Sequence, residues 1–567
     1  MLLQHQRILN KLGSGNTLET MPLKERNIFF RSINLASLFT LAILFLLSCS
    51  ADERESKMIF RYNESAGISS LDPAFARNQA NMWMIHQLYN TLVEVDDSLL
   101  IKPALAKSWK ISDDGKEMVF TLRSDVYFHD DQCFPKGKGR KFSASDVVYS
   151  FHRITDPATA SPGAWIFNER VAQEEPFSAP DDSTFILRLG SPFIPMLGIL
   201  TMPYCSIVPE EAVSFYGINF RRNPVGTGPF RIVNWVEGQA LVCSKNKYYY
   251  EKDEHGAPLP YLDGIFVTFY DSKATEFLQF RQKKIDFIND IDASFKDEVI
   301  TRTGKLRKEW QGSVMLNKHA YFNTEYLGIL MDSMKTGNSA LRKKKIRQAI
   351  NIGIDRAKMM LYLRNSIGSP ATGGFVPRGL PSFDGSSRPY PYDPQKARQL
   401  LKDAGYDATS QKIRLITIPQ YGNLGVYIVR ELEQIGLKLE IEVVPKNLLL
   451  QQTAASQAEF FRGSWIADYP DAENYLSVFF GRNPAPPNYT RFKNPQFDLW
   501  YEKAVAESDS RKRYELYRKM DSLIMEEAPI VPLWYDEVIH LVQNYITGFK
   551  PNGLNLLELR RAKRFKN

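Results

Sequence analysis

The sequence predicts an α/β protein built from more than one domain. Its 567 residues exceed what one hydrophobic core usually supports. Hydrophobic residues make up 44% and charged residues 24%, which is typical of a globular chain. Strand-like and helix-like segments alternate, most clearly over residues 412–444, where a strand, a helix and a second strand follow one another. These observations together favour a mixed α/β fold.

The first part of the chain shows strand, helix and hairpin patterns. The patterns predict a strand over 59–63, an amphipathic helix over 81–95, hairpin strands over 106–111 and 118–122, and a helix starting at 143. The turn residues Asp113–Lys116 join the two hairpin strands. Ser143 has the character of a helix cap, and Pro157 ends that helix.

The second part of the chain alternates more regularly. The patterns predict a helix over 394–404, a strand over 412–418, a helix over 424–435, a strand over 437–444, helices over 495–507 and 511–527, and a final strand-rich segment over 530–541. Asp393 is placed to cap the first of these helices, Pro394 occupies its first position, and Gly405 closes it. The predicted elements therefore include one β-α-β unit.

The formal net charge of +8 is concentrated at the two ends of the chain. Residues 1–48 carry a net +3 and residues 559–567 a net +5, which leaves no net charge on the rest. Because a nucleic-acid-binding protein needs a basic surface, we expect no nucleic-acid partner. The basic C-terminal run is expected to be a solvated charge run rather than a contact for RNA or anionic lipid.

The N-terminal region has the pattern of a secretory signal. Basic residues precede an apolar run over 33–47, which is too short and too polar for a membrane span of roughly 20 apolar residues. The run ends in Leu47-Ser48-Cys49, which resembles a bacterial lipobox. By that resemblance residues 1–48 are a signal peptide and Cys49 is lipidated and anchors the protein to a membrane. The alternative is an uncleaved anchor.

The segment after Cys49 is polar and acidic. Residues 49–57 are therefore expected to be a tether. Similar acidic stretches direct some lipoproteins to the cell surface, so the expected location is periplasmic or cell-surface, with a lipid anchor. Residues 1–20 look unlike a signal, which leaves Met1 and Met21 open as the start.

Motifs for catalysis, nucleotides and metals are missing. The sequence has no nucleophile elbow, phosphate-binding loop or zinc-ligand pattern, so no catalytic residue, cofactor or metal is predicted. His129 and Asp130 offer only a weak metal alternative. If Cys49 is lipidated, Cys133, Cys205 and Cys243 can form at most one disulfide.

The stretch Arg462–Leu476 contains two carboxylates with different expected roles. Asp471 precedes a short helix and is expected to cap it. Asp468 follows an aromatic-rich segment that looks like a buried strand, where an unpaired carboxylate is costly. Two alternatives follow: Arg462 pairs with Asp468 inside the protein, or the cation arrives with a ligand.

Short phrases along residues 58–545 resemble the oligopeptide/dipeptide-binding group of solute-binding proteins, which are the receptors of ABC importers. The shared phrases include SLDP at 70–73, LYNTL at 88–92, PALAKSW at 103–109, FTLR at 120–123, VYFHD at 126–130, FSASDVVYSF at 142–151, GTGPF at 226–230, YDP at 392–394, WIADY at 465–469 and PIVPL at 529–533. Each phrase is weak alone, but all follow the order of the family. The phrase at 126–130 also favours a structural turn over a metal site at His129.

The resemblance implies a periplasmic-binding-protein-like fold of two lobes around a hinge, with an additional α+β domain. By analogy, lobe I combines residues 58–80, 216–318 and 536–567, the extra domain spans 81–215, and lobe II spans 319–535. Two chain crossings would then connect the lobes, which suits hinge closure around a ligand.

The resemblance also implies a binding site. The residue matching Asp468 pairs with the α-ammonium of a peptide, the one matching Arg462 meets the carboxylate of some peptides, and Trp465 packs beside the ligand. Main-chain groups of two segments are expected to bond the peptide as an added strand. The residues implied there are Gly463 and Ile466 in one segment and Gly67 and Ser69 in the other.

The expected function is that of a lipid-anchored, monomeric receptor that delivers peptides to an ABC permease complex. The alternative within the same fold is a non-peptide solute such as a sugar, an opine or a metal chelate, because fold does not fix ligand. A secreted enzyme of unrecognised type is the alternative from another class. Asp468 distinguishes the peptide hypothesis from the sugar hypothesis, since a sugar offers no ammonium to pair with its carboxylate.

Overall fold

The computed structural model describes residues 57–386, 389–409 and 413–565. Residues from Met58 onward form one compact unit. Several predictions fall outside the described residues: the signal peptide, the lipidation of Cys49, nearly all of the tether and both possible starts.

Nineteen strands occur in the described residues. They are β1 (Ile59–Asn63), β2 (Val93–Val95), β3 (Ile101–Pro103), β4 (Ala106–Ile111), β5 (Glu117–Leu122), β6 (Phe177–Asp181), β7 (Thr184–Arg188), β8 (Phe230–Val236), β9 (Ala240–Lys245), β10 (Gly264–Thr268), β11 (Phe287–Asn289), β12 (Val314–Ile329), β13 (Ser369–Pro370), β14 (Ile413–Thr417), β15 (Leu439–Val443), β16 (Phe460–Ile466), β17 (Ile530–Gln543), β18 (Ile546–Thr547) and β19 (Lys563–Arg564).

Fifteen α-helices accompany them in the same residues. They are α1 (Gln79–Leu88), α2 (Ala144–Thr155), α3 (Met196–Ile199), α4 (Glu210–Tyr216), α5 (Lys273–Arg281), α6 (Ala293–Val299), α7 (Ser333–Thr336), α8 (Lys344–Gly353), α9 (Arg356–Arg364), α10 (Pro394–Asp403), α11 (Gly422–Gln434), α12 (Lys446–Ala454), α13 (Glu473–Leu476), α14 (Pro495–Ala506) and α15 (Ser510–Glu527). Across the described part of the chain, no helix combines the length and apolar character needed to span a bilayer.

One mixed sheet of eleven strands contains the two long strands β12 and β17. Its order is β15-β14-β16-β12-β17-β11-β1-β10-β9-β8, and β13 pairs with β17 outside this path. The long strands pair antiparallel along most of their length, but their register shifts between Ala320 and Thr324. A register shift bends and twists a strand pair, so the sheet changes direction there.

Separate hydrophobic cores lie on either side of that shift. One large core includes Phe60, Trp83 and Phe120 and joins β1 and α1 to the four-stranded sheet β4-β5-β7-β6. Two further cores pack against β12, β14, β16 and β17 through residues such as Leu327 and Phe461. The predicted lobe and domain boundaries stay a prediction, and the one at residue 81 falls inside α1.

Most predicted elements occur within a few residues of their expected limits, including the β-α-β unit β14-α11-β15. The helix predicted over 81–95 was too long, because α1 ends at Leu88 and Val93–Val95 forms a strand. The Leu88 carbonyl accepts a hydrogen bond from the N–H of Gly228 at 3.0 Å, and Gly226 and Gly228 pack tightly on the same backbone. A contact from a distant loop therefore ends the helix.

Part of the basic C-terminal run is folded into the protein. The expectation of a solvated run was wrong for Arg560 and Arg564, whereas Arg561 and Lys563 are exposed. The Arg560 side chain is 8% exposed and lies 2.6 to 3.0 Å from carboxylate oxygens of Glu94, Glu251 and Glu558. Arg564 lies over the Tyr545 ring, with 5.0 Å to its centroid. Charge composition alone does not reveal Glu94 and Glu251 as partners, because they come from segments hundreds of residues away from Arg560.

Replacing Arg560 by alanine is expected to reduce the free energy of unfolding by about 3–5 kcal/mol, because it removes the most buried cation from a cluster of three largely buried carboxylates. Urea unfolding of the two proteins measures the change. Arg561 is the matched control: its side chain is 46% exposed, and Arg561→Ala is expected to cost less than about 1 kcal/mol. Equal effects of both substitutions would contradict the buried network.

Candidate functional site

Two pockets open beside the register shift of the long strands. The first, which we call the β16 pocket, has a volume of about 490 Å³, and the second, which we call the β11 pocket, has about 510 Å³. Asn323 lines the β16 pocket and Tyr321 lines the β11 pocket, so both open onto the same short segment of β12. Each pocket also adjoins the carboxyl end of a parallel strand, β14 or β11, where open α/β sheets commonly bind ligands.

Strand β16 has one free edge. It pairs with β12 over its whole length, but its pairing with β14 covers only Phe460 and Phe461. The N–H of Ala467 donates to Phe322 and the N–H of Leu330 donates to Glu459, so the odd-numbered residues of β16 face β12. Because antiparallel pairs alternate, the main-chain groups of the even-numbered residues 462, 464 and 466 point to the open edge. That edge can accept another strand.

Gly463 and Ile466 have different relations to this edge. Gly463 pairs with Tyr326, so its own main-chain groups face β12. A Cβ atom on Gly463 would lie 2.7 Å from Cζ of Tyr326, which explains why glycine is needed there. The side chain of Ile466 is 48% exposed, and its main-chain groups face the open edge. Ser464, which the sequence analysis did not single out, shares that orientation.

Asp468 lies just beyond β16 and pairs with no described cation. Its Oδ2 accepts a hydrogen bond from Nδ2 of Asn474 at 3.2 Å. The side chain is exposed to solvent, yet enough protein surrounds it that desolvation raises its pKa above the ordinary value, while the Asn474 amide lowers it in part. The next residue, Tyr469, is buried in the large core and holds the loop in place.

Asn474 connects Asp468 to Trp465. Its Oδ1 accepts hydrogen bonds from the Trp465 ring N–H at 3.0 Å and from the main-chain N–H of Asp468 at 3.2 Å. Trp465 is half-buried, and its carbonyl accepts a hydrogen bond from the Tyr475 hydroxyl at 3.3 Å. The sequence analysis missed Asn474, although it lies in the stretch Arg462–Leu476 that was singled out there. The only feature of the sequence that could have indicated a role for Asn474 was its position at the start of a predicted short helix.

Arg462 pairs with Glu325 rather than Asp468, so the alternative of an internal Arg462–Asp468 pair was wrong. The guanidinium donates to both carboxylate oxygens of Glu325, with 2.7 Å from Nη2 to Oε2, and lies over the Tyr421 ring at 3.8 Å from its centroid. The Glu325 side chain is fully buried. Burial raises the pKa of Glu325 to about 7, and the Arg462 charge acts in the opposite direction.

Gly67 and Ser69 lie after β1 in a turn rather than a strand. Gly67 has a φ of +71°, and its N–H donates to the Glu64 carbonyl at 3.1 Å. The N–H of Ser69 donates to Asn81, and its carbonyl accepts from Arg221. This segment therefore offers fewer free main-chain groups than the open edge of β16. Within the described ranges, no hydrogen bond joins it to residues 462–468.

Other polar groups from the sequence analysis have structural partners. Asp471 accepts a hydrogen bond from the Glu473 N–H at 2.9 Å, but Ala472 is the N-cap of α13, so the predicted cap was one residue early. His129 is buried, its Nε2 lies 2.9 Å from the Gly228 carbonyl, and desolvation lowers its pKa to about 4. No group of His, Cys, Asp and Glu among the described residues is arranged to hold a metal. Cys133, Cys205 and Cys243 are free thiols.

Comparison with known proteins assigns the chain to a family. Residues 101–486 match the family model of bacterial extracellular solute-binding proteins, family 5 middle, and so cover more than half of the chain. A solved structure of the ABC transporter-associated periplasmic binding protein DppA from Helicobacter pylori, in complex with the peptide STSA, is 26% identical. It covers 91% of this chain and 100% of its own with a TM-score of 0.71.

Curated relatives bind different solutes. Heme-binding protein A of Haemophilus influenzae is 28% identical over 79% of this chain and 81% of its own length. Di/tripeptide-binding protein 2 of Pseudomonas aeruginosa is 24% identical over 93% of this chain and 98% of its own. The predicted two-lobe fold and the resemblance to peptide-binding receptors are confirmed. The chain belongs to family 5 of the bacterial extracellular solute-binding proteins, the ligand-binding components of ABC importers.

Proposed function

We propose that this protein binds peptides in the cleft beside β12 and β17 and delivers them to an ABC permease. The observation that carries the proposal is the open edge of β16, which ends at a carboxylate, Asp468, with no described cationic partner. A peptide supplies both missing partners, because it has main-chain hydrogen-bonding groups and an α-ammonium at its start.

The ammonium subsite is Asp468. Asn474 holds the carboxylate through one oxygen and leaves the other free to accept a charged donor. Such charge-assisted hydrogen bonds contribute roughly 1.5–3 kcal/mol net. The raised pKa of Asp468 supports this role, since a carboxylate that is partly desolvated gains when a cation arrives.

The main chain of the ligand extends β16. Arg462, Ser464 and Ile466 direct main-chain groups to the open edge, and Trp465 lies in the same strand. Backbone hydrogen bonds do not depend on the ligand's side chains, which suits a receptor for varied peptides. Gly67 and Ser69 would contact the opposite side of the peptide after the lobes close.

Closure of the two lobes would complete the site. The register shift between Ala320 and Thr324 lies where the predicted lobe boundary crosses β12. The predicted boundary crosses β17 at Tyr535 to Glu537, the residues that pair with Thr324 and Ala320. A bend in two crossing strands absorbs rotation without breaking a core. The closed form would sequester the peptide and present one shape to the permease.

We also propose that a lipid on Cys49 anchors the protein to a bacterial membrane and that it acts as a monomer. Peripheral anchoring keeps a receptor close to its transporter while leaving the lobes free to move. The proposed location is periplasmic or cell-surface. The role is binding without turnover of the ligand.

A non-peptide solute is the second candidate, and one observation favours it: a similar protein is a heme-binding protein. Mass spectrometry of ligand released from purified, unfolded protein separates the two. A mixture of short peptides supports the first proposal, whereas a single compound without an amine supports the second.

Asp468→Asn is expected to weaken peptide binding by about 2–5 kcal/mol, because the closed site would bury an ammonium without its anion. Calorimetry with trialanine measures this, and N-acetylated trialanine should lose the same amount with the unchanged protein. Binding should also weaken as pH falls through the raised pKa of Asp468, since the protonated acid no longer pairs with an ammonium.

Asp403→Asn is the matched control for the Asp468 experiment. Asp403 lies on α10 in the exposed pair with Lys345, so its removal should leave peptide affinity unchanged. Equal affinity of the Asp468→Asn and unchanged proteins for trialanine would refute the ammonium subsite.

Arg462→Met is expected to lower the free energy of unfolding by about 3–5 kcal/mol, because it leaves Glu325 buried without its cation. Adding Glu325→Leu should recover most of that loss. Arg414→Met, which removes an exposed pair with Glu442, is the control and should cost less than about 1 kcal/mol. A stable Arg462→Met protein that only binds dipeptides more weakly would instead assign Arg462 to the ligand carboxylate.

A further inference from the structure

We infer that Lys446, at the β16 pocket, binds a carboxylate of the peptide. This inference rests on the proposed function, because it uses the direction in which a peptide would lie along β16. It replaces the expectation that Arg462 meets the carboxylate of some peptides. The argument uses the charges of the pocket, the surroundings of Lys446 and the reach of a short peptide.

The β16 pocket has one uncompensated charge among its described lining residues. The lining includes apolar side chains such as Ile418 and Leu449 and the two cations Lys446 and Arg462, and it contains no carboxylate. The charge of Arg462 is balanced by Glu325 behind it. A group that enters the pocket therefore meets the positive charge of Lys446, and an anion gains most from that position.

The fold supplies no reason for a cation at Lys446. Its side chain is exposed, and no carboxylate in the described ranges lies within 4 Å of its ammonium. Lys446 is also the first residue of α12, where a positive side chain opposes the helix dipole. Its charge thus lacks a structural partner on the protein side and faces the open pocket.

The peptide direction brings a carboxylate to this place. With its ammonium at Asp468, a peptide added to the open edge runs antiparallel to β16, toward Arg462. Each residue of an extended strand advances about 3.4 Å. Ser464 lies four and Arg462 six positions before Asp468, so the terminal carboxylate of a peptide of about four to six residues lies beside one of them. Both residues line the pocket together with Lys446.

The carboxylate can come from the C-terminus of the peptide or from an Asp or Glu side chain. Lys446 would bind either carboxylate in the same way, so peptides that carry only one of the two carboxylates are needed to distinguish them. The probes are tetraalanine, tetraalanine amide, and the amides of Ala-Ala-Glu-Ala and Ala-Ala-Gln-Ala. Calorimetry gives the affinity of each for the unchanged protein and for Lys446→Gln.

We expect tetraalanine to bind the unchanged protein about five- to tenfold more tightly than its amide, and Lys446→Gln to remove that difference. If the anion comes from a side chain, the glutamate amide peptide should instead exceed the glutamine one by a similar factor, again only while Lys446 is present. Lys446→Glu should reverse the preference. Lys438→Gln removes an exposed lysine of the same region outside the pocket and should change none of these ratios.

Two results would overturn the inference. The first is that neither carboxylate affects the affinity of the unchanged protein, and the second is that the preference persists in Lys446→Gln. If these occur while Asp468→Asn still weakens binding, the proposed peptide function stands and only the Lys446 subsite fails. If no peptide binds and Asp468→Asn changes nothing, the proposed function and this inference fail together.

Discussion

The rest of the structure depends on the antiparallel pairing of β12 with β17. These two strands carry the central sheet from the strands around β1 to those around β14, and every core packs on one part of that sheet or the other. The pairing continues for most of both strands and is interrupted by the register shift after Ala320 and by a second shift between Glu325 and Tyr326. Both pockets open at the shift after Ala320, so the feature that bends the sheet also creates space for a ligand.

At the site, most polar and charged groups have hydrogen-bond or ion-pair partners within the protein, and they surround a few groups that lack such partners. Arg462, Glu325 and Tyr421 form a closed set of contacts, and Asn474 fixes the Trp465 ring and the Asp468 loop together. Such fixed groups reduce the ordering that a ligand must impose, which is how preorganisation raises affinity. The free groups are then few: the outer edge of β16 and one carboxylate oxygen.

Much of this could be predicted from local sequence patterns. Caps such as Ser143 and Asp393 and the periodicity of the β-α-β unit act over a few residues, so they located most elements. The partners of Arg462 and Arg560 could not be predicted, because Glu325 and Glu94 lie more than a hundred residues away in the chain. The resemblance pointed to Asp468, whereas Asn474 became visible only when the loop was folded around it.

The open edge of β16 has a consequence for handling the protein. An unpaired strand edge next to an exposed isoleucine, Ile466, is a template on which a second chain can add its own strand. Among the features that oppose this are the charge of Asp468 at one end and the shortness of the edge. If a peptide occupies this edge as proposed, the ligand-free protein is the form more prone to self-association, and the bound peptide protects it by covering the edge.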